Sequence, residues 1–172
     1  MSPLVHLELS WLVGARLAAR RDRVLVTMAG VLPDVDGLSL LGGQAAYARW
    51  HHVLTHGVLA ALLAALVLGA LARRHLAVAA LTLVAFHLHL LCDLVGSGPG
   101  WGLAYLWPFS PGEISWKGQW NLASWQNALT GLLVTLAALG CALPLGRTPF
   151  ELASTVGDGH VVRTLRARFG AR

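Results

Sequence analysis

Two uninterrupted apolar runs, separated by a short basic turn, constrain this chain more than any other feature. Residues 57–72 (GVLAALLAALVLGALA) contain no polar side chain. Residues 76–92 (LAVAALTLVAFHLHLLC) contain only Thr82, His87 and His89, and Arg73-Arg74-His75 lies between the runs. Each run is about 16–17 residues, slightly under the ~20 that cross a ~30 Å hydrocarbon core, and flanking residues extend both. In lipid only helices and closed barrels satisfy their own backbone, and continuous apolarity lacks the alternation of a barrel strand. The pair therefore predicts a transmembrane helical hairpin. A third apolar span covers residues 127–146 and is ended by Pro144 and Gly146.

Residues 7–20 read as an amphipathic helix and 24–33 as a short apolar one, joined by Arg20-Arg21-Asp22-Arg23. They predict a second, shorter hairpin packed partly inside the bundle. Residues 35–50 and 95–123, rich in Gly, Pro and Trp, read as loops. The expectation is an all-α, polytopic membrane bundle of about five helices, two hairpins plus a C-terminal span. The bundle is assigned to residues 1–147, and residues 148–172 form a basic, polar tail.

Composition agrees: 56% of residues are hydrophobic and 12% charged, where soluble domains carry about 25% charged residues. This excludes a disordered chain, a coiled coil, a disulfide scaffold and an ordinary soluble domain. Cys92 and Cys141 sit in apolar stretches and read as small buried residues. The start, MSPLVHLELSW, has neither a positive n-region nor a small-residue cleavage site, so insertion is expected to rest on internal segments.

The net charge of +5 raises the question of nucleic acid, which the position of the charges answers. Every Arg and Lys except Arg49 and Lys117 falls at a hairpin turn or beyond the last span. The positive-inside rule then places turns and tail in the cytoplasm, with the N-terminus and both loops outside. Trp50, Trp101, Trp107, Trp116, Trp120 and Trp125 belong to the outer side, as in an interfacial aromatic belt. Topology and anionic lipid account for the basicity, and no nucleic-acid partner is expected.

Helix lengths then predict a convergence. At 1.5 Å per residue, His56 to Arg73 spans about 25 Å and the return to His89 about 21 Å. His6 to Arg20 spans about 21 Å and Arg23 to Asp34 about 16 Å. His6, Asp34, Asp36, His51, His52, His56, His89 and Asp93 can therefore meet at one end. His89 and Asp93 stand at i, i+4 on one helix face, a spacing at which both can bind one ion or Asp can orient the imidazole. His87 faces away, as packing or support; His75 belongs to the basic turn and His160 to the tail. With one of the adjacent His51 and His52 counted, four histidines and three aspartates exceed the three protein ligands of a catalytic zinc, so two or more ions are expected. Mixed His/Asp donors favour Zn, Mn or Fe over Ca or Mg. Metal-activated water acting in hydrolysis is the coherent chemistry.

Taken in order, His6, Leu-Pro-Asp34-Val-Asp36, His51-x4-His56 with Thr55, His89-x3-Asp93 and Leu-Trp107-Pro-Phe109 resemble the YdjM-like family of bacterial inner-membrane proteins. The resemblance covers residues 6–127, the bundle without its last helix and tail. It implies metal-dependent hydrolysis, with a His/Asp pattern distantly similar to zinc-dependent phospholipase C and hence to phosphoester chemistry. It also implies His6, Asp34, Asp36, His51, His56, His89 and Asp93 as the metal ligands, taking His51 rather than His52. Here His52 replaces the family's usual Arg and Gly57 its small hydroxyl residue; the chain thus lacks the Arg that could bind an anionic substrate and offers His52 as an extra ligand. The loop Gly98–Asn127, with Tyr105, Trp107, Glu113, Trp116, Trp120 and Trp125, is either a lid over the metals or an interfacial belt.

The expected function is a membrane-embedded hydrolase of an ester or phosphoester, its substrate a small molecule, lipid or envelope metabolite, with Asp34 or Asp36 as base. The alternatives are a non-enzymatic metal carrier or sensor, and a structural membrane protein whose His/Asp cluster is a hydrogen-bonded plug.

Overall fold

The computed structural model describes residues 1–170; Arg172, counted above with the basic tail, lies outside the described residues. The all-helical expectation holds: among the described residues the only β pairing is an isolated bridge between Leu103 and Ile114. The helices are α1 (Pro3–Gly14), α2 (Arg20–Ala29), α3 (Gln44–Trp50), α4 (Val58–Leu71), α5 (His75–Gly96), α6 (Trp125–Gly140), α7 (Ala142–Leu145) and α8 (Thr155–Phe169). Two 3-10 segments, Leu32–Gly42 and Pro149–Leu152, complete the chain.

The five expected helices are present as α1, α2, α4, α5 and α6, but their boundaries and reach differ. α5, with 22 residues, and the continuous stretch Trp125–Leu145, with 21, are long and apolar enough to cross a membrane. α1, α2 and α4 have 12, 10 and 14 residues, or about 18, 15 and 21 Å, and do not cross alone. α2 and the 3-10 segment after it are bent by 51° and reach span length only as a pair. Two helices thus cross by length and composition, or three spans form if the bent pair is one, and the first hairpin is the shorter one expected.

Local chemistry explains the shifted boundaries. Pro3 at the first position starts α1 early, since its missing N–H would be unbonded there anyway. Arg20-Arg21-Asp22-Arg23 opens α2 rather than linking the helices, with Asp22 in the first turn where the helix dipole favours an anion. Residues 35–50, expected as loop, are largely helical, with Pro33 early in the 3-10 segment. α4 begins at Val58 rather than at His56. Val58 N donates to Tyr105 O at 2.8 Å, and a Cβ on Gly57 would lie 2.9 Å from that carbonyl, so Gly57 lets the long loop dock on the helix start.

α5 is the central element, touching α1, α2 and α4, while α6 packs on α1. Small residues line these contacts: Ala29, Ala61, Ala64, Ala65 and Ala85 are buried among Val26, Val78 and Phe86, the close approach that membrane helices use. Leu62, Leu63, Leu66 and Val67 of α4 and Leu132, Leu133 and Leu136 of α6 face outward. An apolar exterior around a polar interior is stable in lipid.

Buried polar groups gather the turns at one end. The Asp22 carboxylate accepts from Arg73 N at 2.8 Å and Arg74 N at 3.2 Å, pinning one hairpin to the other. Glu151 is buried and accepts from Trp11 Nε1 at 2.9 Å and, in bidentate fashion, from Arg23. Arg166 donates to the Ala142 and Leu143 carbonyls, which the helix end leaves free. Residues 149–169 thus form helical elements docked on the bundle. Asp93 lies on α5 about 27 Å from the His75 end, so the basic turns and the histidine cluster occupy opposite ends.

Candidate metal centre

Asp93, projecting from the last full turn of α5 and buried, is the hub of the site. His89 Nε2 lies 2.8 Å from Asp93 Oδ2, His56 Nε2 3.5 Å and His52 Nε2 3.9 Å. On the other oxygen, Oδ1 accepts from Ser97 Oγ at 2.9 Å and the Met1 ammonium at 2.5 Å, with His6 Nε2 at 3.2 Å.

The imidazoles are oriented from behind. His89 donates from Nδ1 to the Gly30 carbonyl at 2.8 Å, which aims Nε2 at the centre. His56 donates from Nδ1 to Asp36 Oδ2 at 2.9 Å, and His51 from Nδ1 to Asp36 Oδ1 at 2.7 Å. A carbonyl or carboxylate fixing one ring nitrogen while the other faces inward is the support that metal-binding histidines use. Asp36 therefore stands behind two imidazoles with both oxygens engaged. Asp34, on the same 3-10 segment, places Oδ1 3.7 Å from His89 Nε2. His6 stacks on His89 with ring centroids 3.8 Å apart.

The facing groups do not satisfy one another. Both ring nitrogens of His6, His52 Nδ1, Asp34 Oδ2 and Asp93 Oδ2 are buried without a hydrogen-bond partner, and orphaned polar groups cost about 1–3 kcal/mol each. His56 Nε2 and His89 Nε2 lie only 3.4 Å apart. Asp34, His56, His89 and Asp93 offer ligand atoms mutually within 4.8 Å, and Asp36, His51 and His56 do the same. The residues fit a divalent cation, and the mixed nitrogen–oxygen set suits Zn, Mn or Fe.

Charge follows geometry at the mouth. Burial disfavours a charged His56, but its bond to Asp36 and the Asp93 carboxylate beside it outweigh this and raise its pKa to about 9. His52, with burial dominant and the His56 charge beside it, is pushed down to about 3.

A cavity of about 420 Å³ opens onto the cluster, lined among others by Asp34, Tyr47, His51, His52, Asp93 and Trp101. Tyr47 stacks on His51 at 4.5 Å, and Trp101 meets both Tyr47 and His52 edge-on. From the loop expected as a lid, the walls come from Trp101 and Leu122, whereas Tyr105 instead bonds His87 Nε2. His87 is exposed, His75 bonds the Gly69 carbonyl and His160 pairs with Arg163, all outside the cluster. His52 and His56 do not share a helix face, because residues 51–57 are irregular. Sequence reasoning passed over Tyr47, although it stands four residues before His51, and over the Gly30 carbonyl, which no side-chain pattern signals.

The family model described as YdjM inner membrane protein matches residues 1–156. The chain belongs to the YdjM inner membrane protein family. That match takes in every residue of the cluster and, beyond the bundle, reaches the Glu151 contact. No curated protein and no solved structure matches the chain. As a member of this family, with apolar helices around a His/Asp cluster able to hold metal, it is an inner-membrane protein.

Proposed function

We propose that this protein is a membrane-embedded, metal-dependent hydrolase of esters or phosphoesters, acting on a small molecule or lipid that enters the cavity from the membrane surface. The carrying observation is the centre on Asp93: pre-aimed imidazoles and orphaned carboxylate oxygens beside a cavity wide enough for a substrate headgroup. His56, His89, Asp34 and Asp93 would hold the cation, Zn first and Mn or Fe next, and Asp36 would orient His51 and His56. Such a cation supplies Lewis acidity toward a carbonyl or phosphoryl oxygen and makes water easier to deprotonate.

The remaining chemistry belongs to the chain. Asp34 is also the better base: Oδ1 faces His89 and serves as the ligand, Oδ2 has no partner, and both Asp36 oxygens are occupied by imidazoles. Water forms the new bond to carbon or phosphorus and its proton passes to Asp34. The ester C–O or P–O bond breaks, and Asp34 returns that proton to the leaving oxygen, which departs as the alcohol. Tyr47 and Trp101 would hold the group flanking the scissile bond. The arginine distribution supports a site on the outer side and a cytoplasmic C-terminus.

The test is purified protein loaded with Zn or Mn, assayed on chromogenic phosphoesters, carboxyl esters and phospholipids. Turnover abolished in Asp34→Ala and His89→Ala is expected; turnover unchanged in both variants would refute the assignment.

A further inference from the structure

His52 is the anomaly of the site. It is the one non-glycine residue with positive φ among the described residues, at 66°, a conformation that persists only where surroundings impose it. Its backbone is held there by Ala104 N, which donates to His52 O at 3.1 Å. The side chain is 4% exposed, its Nδ1 has no hydrogen-bond partner, and its Nε2 stops 3.9 Å short of Asp93 Oδ2. A buried imidazole placed at this conformational cost, facing a carboxylate it does not bond, lacks the group it was placed for.

The cavity supplies the geometry for one. His56 and His89 lie behind the cavity wall, whereas Asp34, His51, His52 and Asp93 all line it. The His51 and His52 rings are 4.5 Å apart, and Asp36 takes His51 Nδ1, leaving Nε2 uncommitted. Two imidazoles and two carboxylates therefore line the cavity, and Asp93 Oδ2 faces both His52 and the His56–His89 position.

We propose that His52, with His51, binds a second divalent cation on the cavity side, shared with the first through Asp93. The arrangement gives one deep cation and one facing the substrate, the pairing that clamps both oxygens of an in-line displacement. This rests on the first cation position of the proposed function.

The test is metal stoichiometry by mass spectrometry on the full chain in detergent, after loading with Zn or Co and desalting. Co absorption bands report each coordination environment separately. The variants are His52→Asn, a side chain that tolerates positive φ, and His52→Gly, which removes the backbone constraint altogether. Two equivalents in the wild type and one in the variants, with the remaining Co spectrum unchanged, is the expected result. Two equivalents retained in either folded variant, or only one in the wild type, overturns the second position and leaves the first intact. A wild type that takes up no ion overturns the first position as well.

Discussion

Gly30→Ala is the sharpest probe of how the centre is aimed, because it replaces no ligand. Gly30 has φ −84°, which alanine adopts freely, so the backbone itself raises no objection. A Cβ there would stand 1.5 Å from Ser10 Oγ and 2.5 Å from Ser10 Cβ. Rotating Ser10 relieves the first clash but not the second, and Ser10 is 1% exposed with no room to withdraw. Carbon contacts need about 3.5 Å, so α1 and α2 must part by roughly 1 Å even with the hydroxyl turned away. That displacement acts on a ligand and on the ring packed against it: the Gly30 carbonyl fixes His89, and α1 carries His6, which stacks on His89. Overpacking of this kind costs about 1–3 kcal/mol, and losing the partner that orients a metal-binding histidine costs about 10–100-fold in affinity. Zn titration against a competing chelator, with thermal unfolding in detergent alongside, reads both effects. Adding Ser10→Gly removes both clashing atoms and leaves the His6 carbonyl 3.3 Å away, so the double variant should recover most of the affinity. Wild-type affinity in Gly30→Ala, or no recovery when Ser10→Gly is harmless alone, would refute the reasoning.

Asp36→Asn should keep the ligand atoms yet weaken metal binding about 10–100-fold, seen in the same titration, because one amide cannot accept from both His51 and His56. Metal affinity should rise with pH toward about 9, the value to which His56 is raised, by roughly tenfold per unit for the one proton a cation must displace; titrations at pH 6, 7 and 8 check the slope. Glu151→Gln leaves Arg23 buried without its anion and should destabilise the fold by about 3–5 kcal/mol, measured by chemical unfolding in detergent. Burial opposes ionisation of Glu151, but the Arg23 and Trp11 bonds override it and hold its pKa below the usual carboxylate range. Its stabilisation is therefore full above the unfolded carboxylate pKa and is lost as pH falls through the folded value. Unfolding midpoints from pH 7 to 4 should drop more in the wild type than in Glu151→Gln.

Hydropathy and arginine placement were legible in the chain because they are local: an apolar run in lipid has to be a helix, whatever surrounds it. The gathering of histidines at one end was readable for the same reason, since helix rise converts sequence distance into depth. Reach was not. Three of the expected helices stop well short of a crossing, because Pro3, the 15–19 turn and the docking of Tyr105 on Gly57 set their ends, and the last of these is a contact between segments far apart in sequence. The structure also decided the division of labour inside the cluster. Asp34 and Asp36 are equivalent in sequence, two residues apart after one proline. A 3-10 segment turns one toward the cavity and the other onto His51 and His56. His51 and His52 are adjacent and chemically identical, yet one is held by a carboxylate and the other is strained, buried and unpaired. Side-chain type determined that donors able to hold a metal ion were present, while only the packing of α1, α2 and α5 and the irregular 51–57 turn decided which atoms face one another. Orientation depends on backbone groups such as the Gly30 carbonyl, and every residue carries one.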